Sequence, residues 1–324
     1  MKDVAREAKV SVSTVSNYLN GRTVREPAAT NIKNAIKELN YVRNDNARFL
    51  KTQKSKVVIF VIPNVWSPYF SELTFWVQKY LDEHGYKMLL CISENDYAKE
   101  QQYVTMAEEQ RVAGIISVSY SELTQHVRST IPLVSIEKEP TGRFSLVSSD
   151  NYSGGKLAAE EFQKRGITNY VFIGSTNKDS DSTNARKSGF LDYCNNHGLK
   201  AYGYEVSPSS NQLHSQIKKI VEQCKELSGK IGIFTFSDEV GIHVLNECLS
   251  EGINVPNQMQ IIGFDGWNIT PHTPLNLSSI RQPVDQIALT TVDQLIKEIE
   301  NPKEYQIQRI SLPVTFKVGN TTLN

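Results

Sequence analysis

From Val57 onward, short apolar runs alternate with longer amphipathic stretches along the chain. The runs are continuously apolar and rich in β-branched residues, as expected of strands that are buried on both faces of a sheet. They occupy residues 57–62, 112–118, 131–136, 170–175, 231–236 and 259–264. The pattern therefore predicts a strand in each of these runs.

The stretches between the runs have the apolar spacing of amphipathic helices. The clearest of them cover residues 69–84, 154–165, 212–227 and 239–250. Regular alternation of strands and helices indicates parallel sheets with right-handed crossovers. Because about 270 residues follow this pattern, we expect two lobes rather than one small sheet.

The first forty residues follow a different pattern, that of short helices. Residues 3–8 predict one helix, and Ser11 stands where the N-cap of a second helix belongs. In that second helix Val15 and Leu19 are four residues apart and point inward. Two helices joined by a short turn, the second with a polar outer face, are typical of a helix-turn-helix, and also of a plain helical hairpin. The pattern alone leaves both possibilities open.

Charge is distributed unevenly, although the formal net charge of the 324-residue chain is +0. Residues 1–54 contain eleven Lys or Arg and five Asp or Glu, a net charge of +6, so the remaining residues carry −6. A basic head on an acidic body is expected when only the head contacts phosphates. The alternative is a basic surface that is merely solvated.

The cysteines are widely spaced and do not form the paired motifs of a metal site. They are Cys91, Cys194, Cys224 and Cys248. We expect reduced thiols in a cytoplasmic protein, with no metal and no other cofactor. The first residues lack the apolar core of an export signal, and no apolar run approaches the length of about 18–20 residues that crosses a membrane. We therefore expect neither export nor membrane insertion.

Specific motifs near the N-terminus distinguish between the helical alternatives. They are DVAREAKVSVSTVSNYLNG at residues 3–21, KELNY at 37–41 and NARFLK at 46–51. These segments closely resemble the LacI/GalR family of bacterial regulators, and the order of the sensor domain that follows is similar too. The resemblance implies a small all-α helix-turn-helix domain and an α/β, two-lobed sensor domain with parallel doubly wound sheets, like that of periplasmic binding proteins. It implies a transcription regulator, by default a repressor, that binds a palindromic double-stranded DNA operator as a homodimer under the control of a small effector such as a sugar.

The resemblance also implies a set of DNA contacts. Ser11 and Thr14 correspond to phosphate contacts, and Val12, Ser13 and Asn17 correspond to the positions that contact bases. The full predicted DNA-binding set is Ser11, Val12, Ser13, Thr14, Ser16, Asn17, Asn20, Tyr41, Asn44, Ala47, Leu50 and Lys51. Asn17 replaces the family's frequent Arg or His, so the operator sequence is not implied.

Other positions depart from the family pattern as well. Lys9 stands where the family usually has Gly in the turn, and a residue other than Gly is costly at a positive φ. Arg25 and Ala28 replace the usual Ser and Thr near the third helix, so a phosphate contact is not expected there. Arg43 replaces the usual Pro before the hinge.

Residues 44–55 are predicted to form a hinge between the two domains. Within it, Asn44–Lys51 is too short to be stable as an isolated helix, because such helices are marginal below roughly 12–15 residues. In the family it folds on DNA, where Ala47 corresponds to the contact between the paired hinge helices and Leu50 to a leucine that wedges into the minor groove. The alternative is that Phe49 and Leu50 dock onto the sensor domain.

Ligands of parallel sheets bind beyond the carboxyl ends of the strands, so the residues that follow each apolar run are candidate effector contacts. The predicted ligand-binding set is Asn64, Tyr69, Phe70, Arg186, Asp238 and Asp265. Tyr69 and Phe70 open a helix, where aromatic faces suit a sugar ring but are also common in cores. The resemblance assigns Arg186 and Asp265 to effector binding. An N-cap is an alternative explanation of Asp238.

The expected domain boundaries follow from these assignments. They are 1–43 for the helix-turn-helix, 44–55 for the hinge and 56–324 for the sensor and dimerisation domain. The first lobe is expected at about 56–149 and 281–310, and the second at about 150–280 and 311–324. The chain should cross between the lobes near Asp150, Arg281 and Leu312, and closure of such lobes can reposition the DNA-binding heads.

Two other classes of protein are alternatives to a transcription regulator. A carbohydrate-acting enzyme is one, but the chain has no P-loop, no glycine-rich dinucleotide motif, no GxSxG and no metal-spaced His/Cys cluster. A stand-alone sugar-binding protein of the transport type is the other, and it would need an export signal and no basic head. We therefore expect no enzymatic activity. No heptad repeat follows Leu312, which favours dimers over coiled-coil tetramers.

Overall fold

The computed structural model describes residues 1–41, 55–118, 131–138, 143–176, 181–208, 211–270 and 272–323. The chain forms two compact units, Met1–Ser55 and Lys56–Asn324. Four predicted DNA contacts, Asn44, Ala47, Leu50 and Lys51, lie outside the described residues. None of the helices within these ranges combines the length and the apolar character that a membrane crossing needs.

The first unit is helical. Its helices are α1 (Lys2–Glu7), α2 (Val12–Leu19) and α3 (Ala28–Glu38). Its core consists of six buried apolar side chains, those of Val4, Ala5, Ala8, Val15, Ile32 and Ala35. The predicted helix over residues 3–8 is confirmed to within one residue, and so is the inward position of Val15. Leu19 packs against this core but is only half-buried.

The turn between α1 and α2 depends on Lys9 and Ser11. Ser11 is the N-cap of α2, as predicted, and its Oγ accepts a hydrogen bond from the backbone N–H of Thr14 at 3.1 Å. Lys9 has a φ of 51°, in the left-handed region that favours Gly. Lys9 therefore adopts the backbone conformation that a glycine would adopt at this position of the turn.

The second unit is built on two six-stranded sheets. The strands of the first sheet are β1 (Val57–Ile62), β2 (Lys87–Ile92), β3 (Gly114–Ser117), β4 (Leu133–Ile136), β5 (Ser145–Ser149) and β13 (Arg309–Leu312). Their spatial order is β13-β5-β4-β3-β1-β2. All neighbours are parallel, as the alternating sequence pattern predicts.

The second sheet has the spatial order β14-β12-β9-β8-β6-β7. Its strands are β6 (Asn169–Ser175), β7 (Lys200–Val206), β8 (Ile231–Thr235), β9 (Met259–Asp265), β12 (Ser278–Arg281) and β14 (Thr315–Lys317). All neighbours are parallel except the antiparallel pair β12 and β14. A separate small hairpin joins β10 (Asn268–Thr270) and β11 (Thr273–Pro274).

Helices cover both faces of each sheet. They are α4 (Pro68–Glu83), α5 (Tyr97–Glu109), α6 (Asn151–Lys164), α7 (Asp181–Asn196), α8 (Leu213–Lys225), α9 (Asp238–Ser250) and α10 (Val284–Glu300). The four helices predicted from the sequence correspond to α4, α6, α8 and α9, each within three residues at either end. Apolar clusters fill both faces of the two sheets, so each lobe is a three-layer sandwich with the sheet in the middle.

The chain passes between the two sheets after β5, after β12 and after β13. The helix α6 packs on the second sheet, and α10 packs on the first, where its apolar face joins the cluster around β1 and β4. The last strand of the first sheet continues to Leu312, two residues beyond the expected limit of that lobe at 310.

Each of the six predicted apolar runs contains one strand, but the sequence did not predict β2, β5, β7, β12, β13 or β14. β2, β7, β13 and β14 are the edges of the two sheets, where half-exposed or exposed side chains interrupt the apolar pattern. β5 and β12 lie inside the sheets but contain buried serines in place of apolar residues.

The helices α6 and α7 approach each other closely through two glycines. A Cβ atom on Gly155 would overlap the backbone carbonyl of Arg186, and one on Gly189 would overlap the backbone carbonyl of Tyr152. Neither neighbour can yield easily, because both are backbone atoms of a helix. The glycines therefore set the separation of the two helices, and with it the position of Arg186.

Gly189→Ala is expected to lower the free energy of unfolding by about 1–3 kcal/mol or more, because the new methyl group must push α6 and α7 apart. Gly203→Ala is the matched control, since its Cβ would meet only the end of the Lys187 side chain, at 4.0 Å. Urea denaturation followed by circular dichroism measures both variants. Equal stability of the two variants would contradict the role assigned to the glycine contact.

Candidate functional site

A cavity of about 770 Å³ lies between the two lobes. The first lobe contributes residues that follow β1, β2 and β4, and the second lobe contributes residues that follow β6, β7, β8, β9 and β12. The first turns of α4, α7 and α9 complete the wall. Its volume and its place at the carboxyl ends of parallel strands are those of a small-molecule site.

Five of the six predicted ligand-binding residues line this cavity. They are Asn64, Tyr69, Phe70, Arg186 and Asp265. The structure thus brings together residues that are up to 201 positions apart in the sequence. The remaining residue, Asp238, does not line the cavity.

The loop after β1 presents both polar and aromatic groups. Asn64 Oδ1 accepts hydrogen bonds from the backbone N–H groups of Trp66 and Ser67, each at 3.0 Å. These two hydrogen bonds stabilise the conformation of the loop. Tyr69 and Phe70 are buried and contact each other edge to face, with ring centroids 5.3 Å apart. Trp66 is 89% exposed on the cavity wall. An exposed indole at this place is available to stack on a sugar ring.

Arg186 is held firmly on the wall of the cavity. Its Nε donates to Asn151 Oδ1 at 2.8 Å, and its Nη1 donates to the backbone carbonyl of Phe236 at 2.6 Å. The guanidinium carbon lies 3.6 Å from the centroid of the Phe264 ring. This stacking and the two hydrogen bonds orient the N–H groups that remain, which can donate to a ligand.

Glu137 is a cavity residue that the sequence analysis did not single out. Its side chain is buried, Oε1 accepts from the backbone N–H of Ser149 at 2.7 Å, and Oε2 accepts from Asn151 Nδ2 at 2.7 Å. The signal was present in the sequence, because Glu137 directly follows the apolar run 131–136. The rule that identified Asp265 after its own strand would have found Glu137 as well.

Asp265 ends β9 with a φ of 115°, which is unfavourable for any residue other than Gly. Its Oδ1 accepts from Gln282 Nε2 at 2.6 Å, and Gln282 Oε1 accepts from Ser149 Oγ at 2.6 Å. Burial raises the pKa of Asp265 to about 6, although the Arg186 guanidinium opposes the shift. A buried carboxylate on a strained backbone indicates a residue retained for binding rather than for stability.

Asp238 is not a ligand contact, contrary to the prediction. It is fully buried, Oδ1 accepts from Ser279 Oγ, and Oδ2 accepts from the backbone N–H of Gly266 at 2.7 Å. It is also not the N-cap of α9, because that residue is Ser237. Burial and the neighbouring Asp265 raise the pKa of Asp238 well above its ordinary value. Asp238 therefore supports the loop after β9 from beneath.

Asp265→Asn is expected to stabilise the protein near pH 7.5 by about 1–3 kcal/mol. A carboxyl group whose pKa is raised on folding, here from 3.8 to about 6, binds its proton more tightly in the folded state. The free energy of unfolding therefore falls as the pH rises from about 4 through about 6, and an amide removes this loss.

Thermal melts at pH 7.5 and at pH 4.5 measure the effect of Asp265→Asn, and the gain in Tm should shrink at the lower pH. Asp82→Asn is the control, because Asp82 is exposed near the end of α4. This variant should have the same Tm as the wild type at both pH values. If Asp265→Asn is less stable than the wild type at pH 7.5, the buried charge of Asp265 does not destabilise the folded protein.

Seven of the predicted DNA contacts lie on α2 and its two cap residues, and Tyr41 follows α3. Ser11, Val12, Ser13, Asn17 and Asn20 are exposed, and Val12 is an apolar side chain with 44% exposure. Thr14, Ser16 and Tyr41 are half-buried.

Hydrogen bonds within the helix occupy part of this surface. The hydroxyl of Ser11 contacts the hydroxyls of Ser13 and Thr14, each at 2.7 Å, and Asn20 Nδ2 donates to the Ser16 carbonyl at 2.7 Å. Asn17, by contrast, is an exposed amide in the middle of the helix face, where it can reach a base edge.

Comparison with known proteins identifies the family. The model of bacterial regulatory proteins of the lacI family matches residues 1–44, and the model of the periplasmic binding protein-like domain matches residues 159–322. The sucrose operon repressor of Streptococcus mutans is 31% identical over 310 residues, which cover 94% of this chain and 95% of that repressor. The chain belongs to the LacI family of bacterial regulatory proteins.

Solved structures of the LacI family have the same fold. A periplasmic binding protein/LacI transcriptional regulator from Alkaliphilus metalliredigens, complexed with D-xylulofuranose, is 28% identical with a TM-score of 0.73, covering 83% of this chain and all of that chain. The lac repressor dimer bound to operator and the anti-inducer ONPF is 19% identical with a TM-score of 0.86, covering 99% of this chain and 98% of that chain. At that identity the second comparison shows the fold alone.

This LacI-family chain is therefore a transcription repressor that binds a DNA operator with affinity controlled by an effector. It is not an enzyme, and the alternative of a stand-alone transport protein is excluded as well. The predicted fold, a helix-turn-helix domain followed by a two-lobed domain like that of periplasmic binding proteins, is confirmed.

Proposed function

We propose that this repressor binds a palindromic operator as a homodimer and that a sugar bound between its lobes controls the affinity. The observation that carries the proposal is the cavity between the lobes, which is lined by carboxylates, amides and aromatic rings from both of them. A ligand that contacts both lobes favours the lobe arrangement that fits it best. Because the operator is genomic DNA, the repressor acts in the cytoplasm.

The exposed face of α2 supports sequence-specific contact with the major groove. Its side chains are short and polar at Ser13 and Asn17 and apolar at Val12, which suits hydrogen bonds to base edges and contact with a thymine methyl group. The net charge of +6 in residues 1–54 supports binding to the phosphates. The family resemblance alone supports four further residues of the proposed interface, which are Asn44, Ala47, Leu50 and Lys51. Leu50 is proposed to insert into the minor groove.

Asn17→Ala is expected to change the base preference at one position of each half-site, with a loss of about 1–3 kcal/mol for the preferred base. The operator is first selected from a pool of random duplexes with the wild-type protein, and the same selection is then repeated with the variant. Asn34→Ala, an exposed asparagine on α3, is the matched control and should select the wild-type operator. An unchanged base preference for Asn17→Ala would remove this residue from the base contacts.

An exposed aromatic surface on α4 supports the homodimer. Phe75 is 62% exposed, its ring centroid lies 5.2 Å from that of Trp76, and Trp76 stacks on Tyr80 at 5.9 Å. Leu289 on the neighbouring helix α10 is 40% exposed. Trp76 and Tyr80 are half-buried, and an exposed phenylalanine beside such aromatic residues is typical of a protein interface. The dimer in the lac repressor structure is a precedent for such an assembly in a protein of the same fold.

The residues that line the cavity support a sugar as the effector, and so do two similar proteins. Aromatic rings at Trp66, Tyr69 and Phe70 can cover the apolar faces of a sugar ring, and Arg186, Glu137 and other polar groups can bond its hydroxyls. The similar regulator from Alkaliphilus metalliredigens was solved with D-xylulofuranose, and the relative in Streptococcus mutans is a sucrose operon repressor.

Asp265→Asn is expected to raise the sugar concentration that half-maximally changes operator affinity by at least about tenfold. The amide replaces one acceptor oxygen of the carboxylate with an NH2 donor, so it can accept fewer hydrogen bonds from sugar hydroxyls. The thermal melts of the same variant test whether unfolding is the cause. Fluorescence anisotropy with the selected operator measures the response to sucrose, fructose and ribose. Asp82→Asn is the control and should respond as the wild type does. An unchanged response of Asp265→Asn would show that the effector does not contact this carboxylate.

A further inference from the structure

The charged side chains on the cavity wall are mostly acidic. Among the lining residues that the structure describes, the carboxylates are Glu137, Glu239 and Asp265, and Arg186 is the only Lys or Arg. A ligand in the cavity therefore meets more negative than positive charge.

The positive charge of Arg186 is already engaged within the protein. Nε and Nη1 donate to Asn151 and to the carbonyl of Phe236, and the face of the guanidinium lies on Phe264. The same group stabilises the ionised form of Asp265, so the two charges partly balance each other. The remaining N–H groups can bond a hydroxyl, but Arg186 does not act as an uncompensated cation.

Acidic residues stand in the first turn of two helices that begin at the cavity. Helix N-termini normally favour anions. However, α9 carries Asp238 and Glu239 in its first turn, and α7 carries Asp181. The first residue of α4 is Pro68, which has no N–H, and the two amides before it donate to Asn64.

We propose that the cavity binds an uncharged sugar and rejects the phosphate esters of sugars by electrostatic repulsion. This inference rests on the proposed function, in which the cavity holds a sugar effector. Sugar hydroxyls both donate and accept, whereas a carboxylate only accepts and has about four lone-pair sites. Glu137 accepts two hydrogen bonds from the protein and Asp265 accepts one from Gln282, which leaves sites for hydroxyl donors. A phosphate dianion offers these oxygens only further acceptors.

Glu239 is the carboxylate through which the repulsion can be tested. It is exposed in the first turn of α9, on the cavity wall. Glu137 and Asp265, in contrast, hold buried hydrogen bonds that their substitution would break. Glu239→Gln removes one negative charge and keeps the size of the side chain.

The test measures affinities of the full-length protein by titration calorimetry at pH 8, where phosphate monoesters are dianions. The ligands are sucrose with sucrose 6-phosphate, fructose with fructose 6-phosphate, and ribose with ribose 5-phosphate. A neutral sugar that binds is expected to bind at least about tenfold more tightly than its own ester.

Two changes should reduce this ratio of affinities. Glu239→Gln is expected to lower it at least about threefold, and an increase of the salt concentration from about 0.05 M to about 0.5 M should lower it as well, because salt screens exposed charges. Glu83→Gln is the matched control, since Glu83 is exposed at the last turn of α4, about 20 Å along the helix from its first residue. It should leave the ratio as in the wild type.

An ester that binds as tightly as its neutral sugar overturns this inference and leaves the proposed function standing. A preference for the neutral sugar that responds neither to Glu239→Gln nor to salt also overturns it, because a lack of space for the phosphate would give that result. If none of the six ligands binds, the proposed sugar effector itself fails, and this inference fails with it.

Discussion

The buried amide of Asn151 joins the two lobes where the chain first crosses between them. Asn151 Nδ2 donates to Glu137 of the first lobe, and Asn151 Oδ1 accepts from Arg186 of the second lobe. The orientation of the amide is fixed by its partners, since an ionised carboxylate can only accept and a guanidinium can only donate. Loss of this amide would remove one hydrogen bond from each of two buried charged groups, Glu137 and Arg186, and hydrogen bonds to charged groups contribute more than ordinary ones. The shape of the cavity therefore depends on Asn151.

The position of Arg186 depends in turn on the close packing of α6 and α7. Gly155 allows α6 to lie directly against the backbone of Arg186, and the side chain then extends over Phe264. Below this layer lies an aromatic core that includes Phe190 and Phe234, with ring centroids 5.3 Å apart. A large, rigid core thus supports the polar groups of the cavity wall. In this lobe the aromatic layer provides stability, and the polar layer above it provides the groups that can bind a ligand.

The sequence predicted the parts of the fold in which one physical requirement dominates. Six interior strands bury apolar side chains on both faces of a sheet, and all six were found. β5 and β12 were missed because their serines are buried and hydrogen-bonded to other elements, as Ser149 is to Gln282. Asp238 was assigned wrongly because Ser237, Asp238 and Glu239 are consecutive polar residues after a strand. Only the three-dimensional structure shows that the first caps the helix, the second is buried and the third faces the cavity.

One ion pair links the cavity to the outer surface of the first lobe. Arg281, at the second crossing, donates with both terminal nitrogens to Glu72 of α4, and its Nη1 also lies 3.3 Å from the carbonyl of Gly266, beside Asp265. Both side chains are more than a quarter exposed, and such pairs contribute only about 0–1 kcal/mol. This ion pair is the contact through which the loop after β9 is joined to α4. Because α4 also carries the exposed Phe75, the ion pair places one helix between the loop beside Asp265 and the surface where a second subunit is proposed to bind.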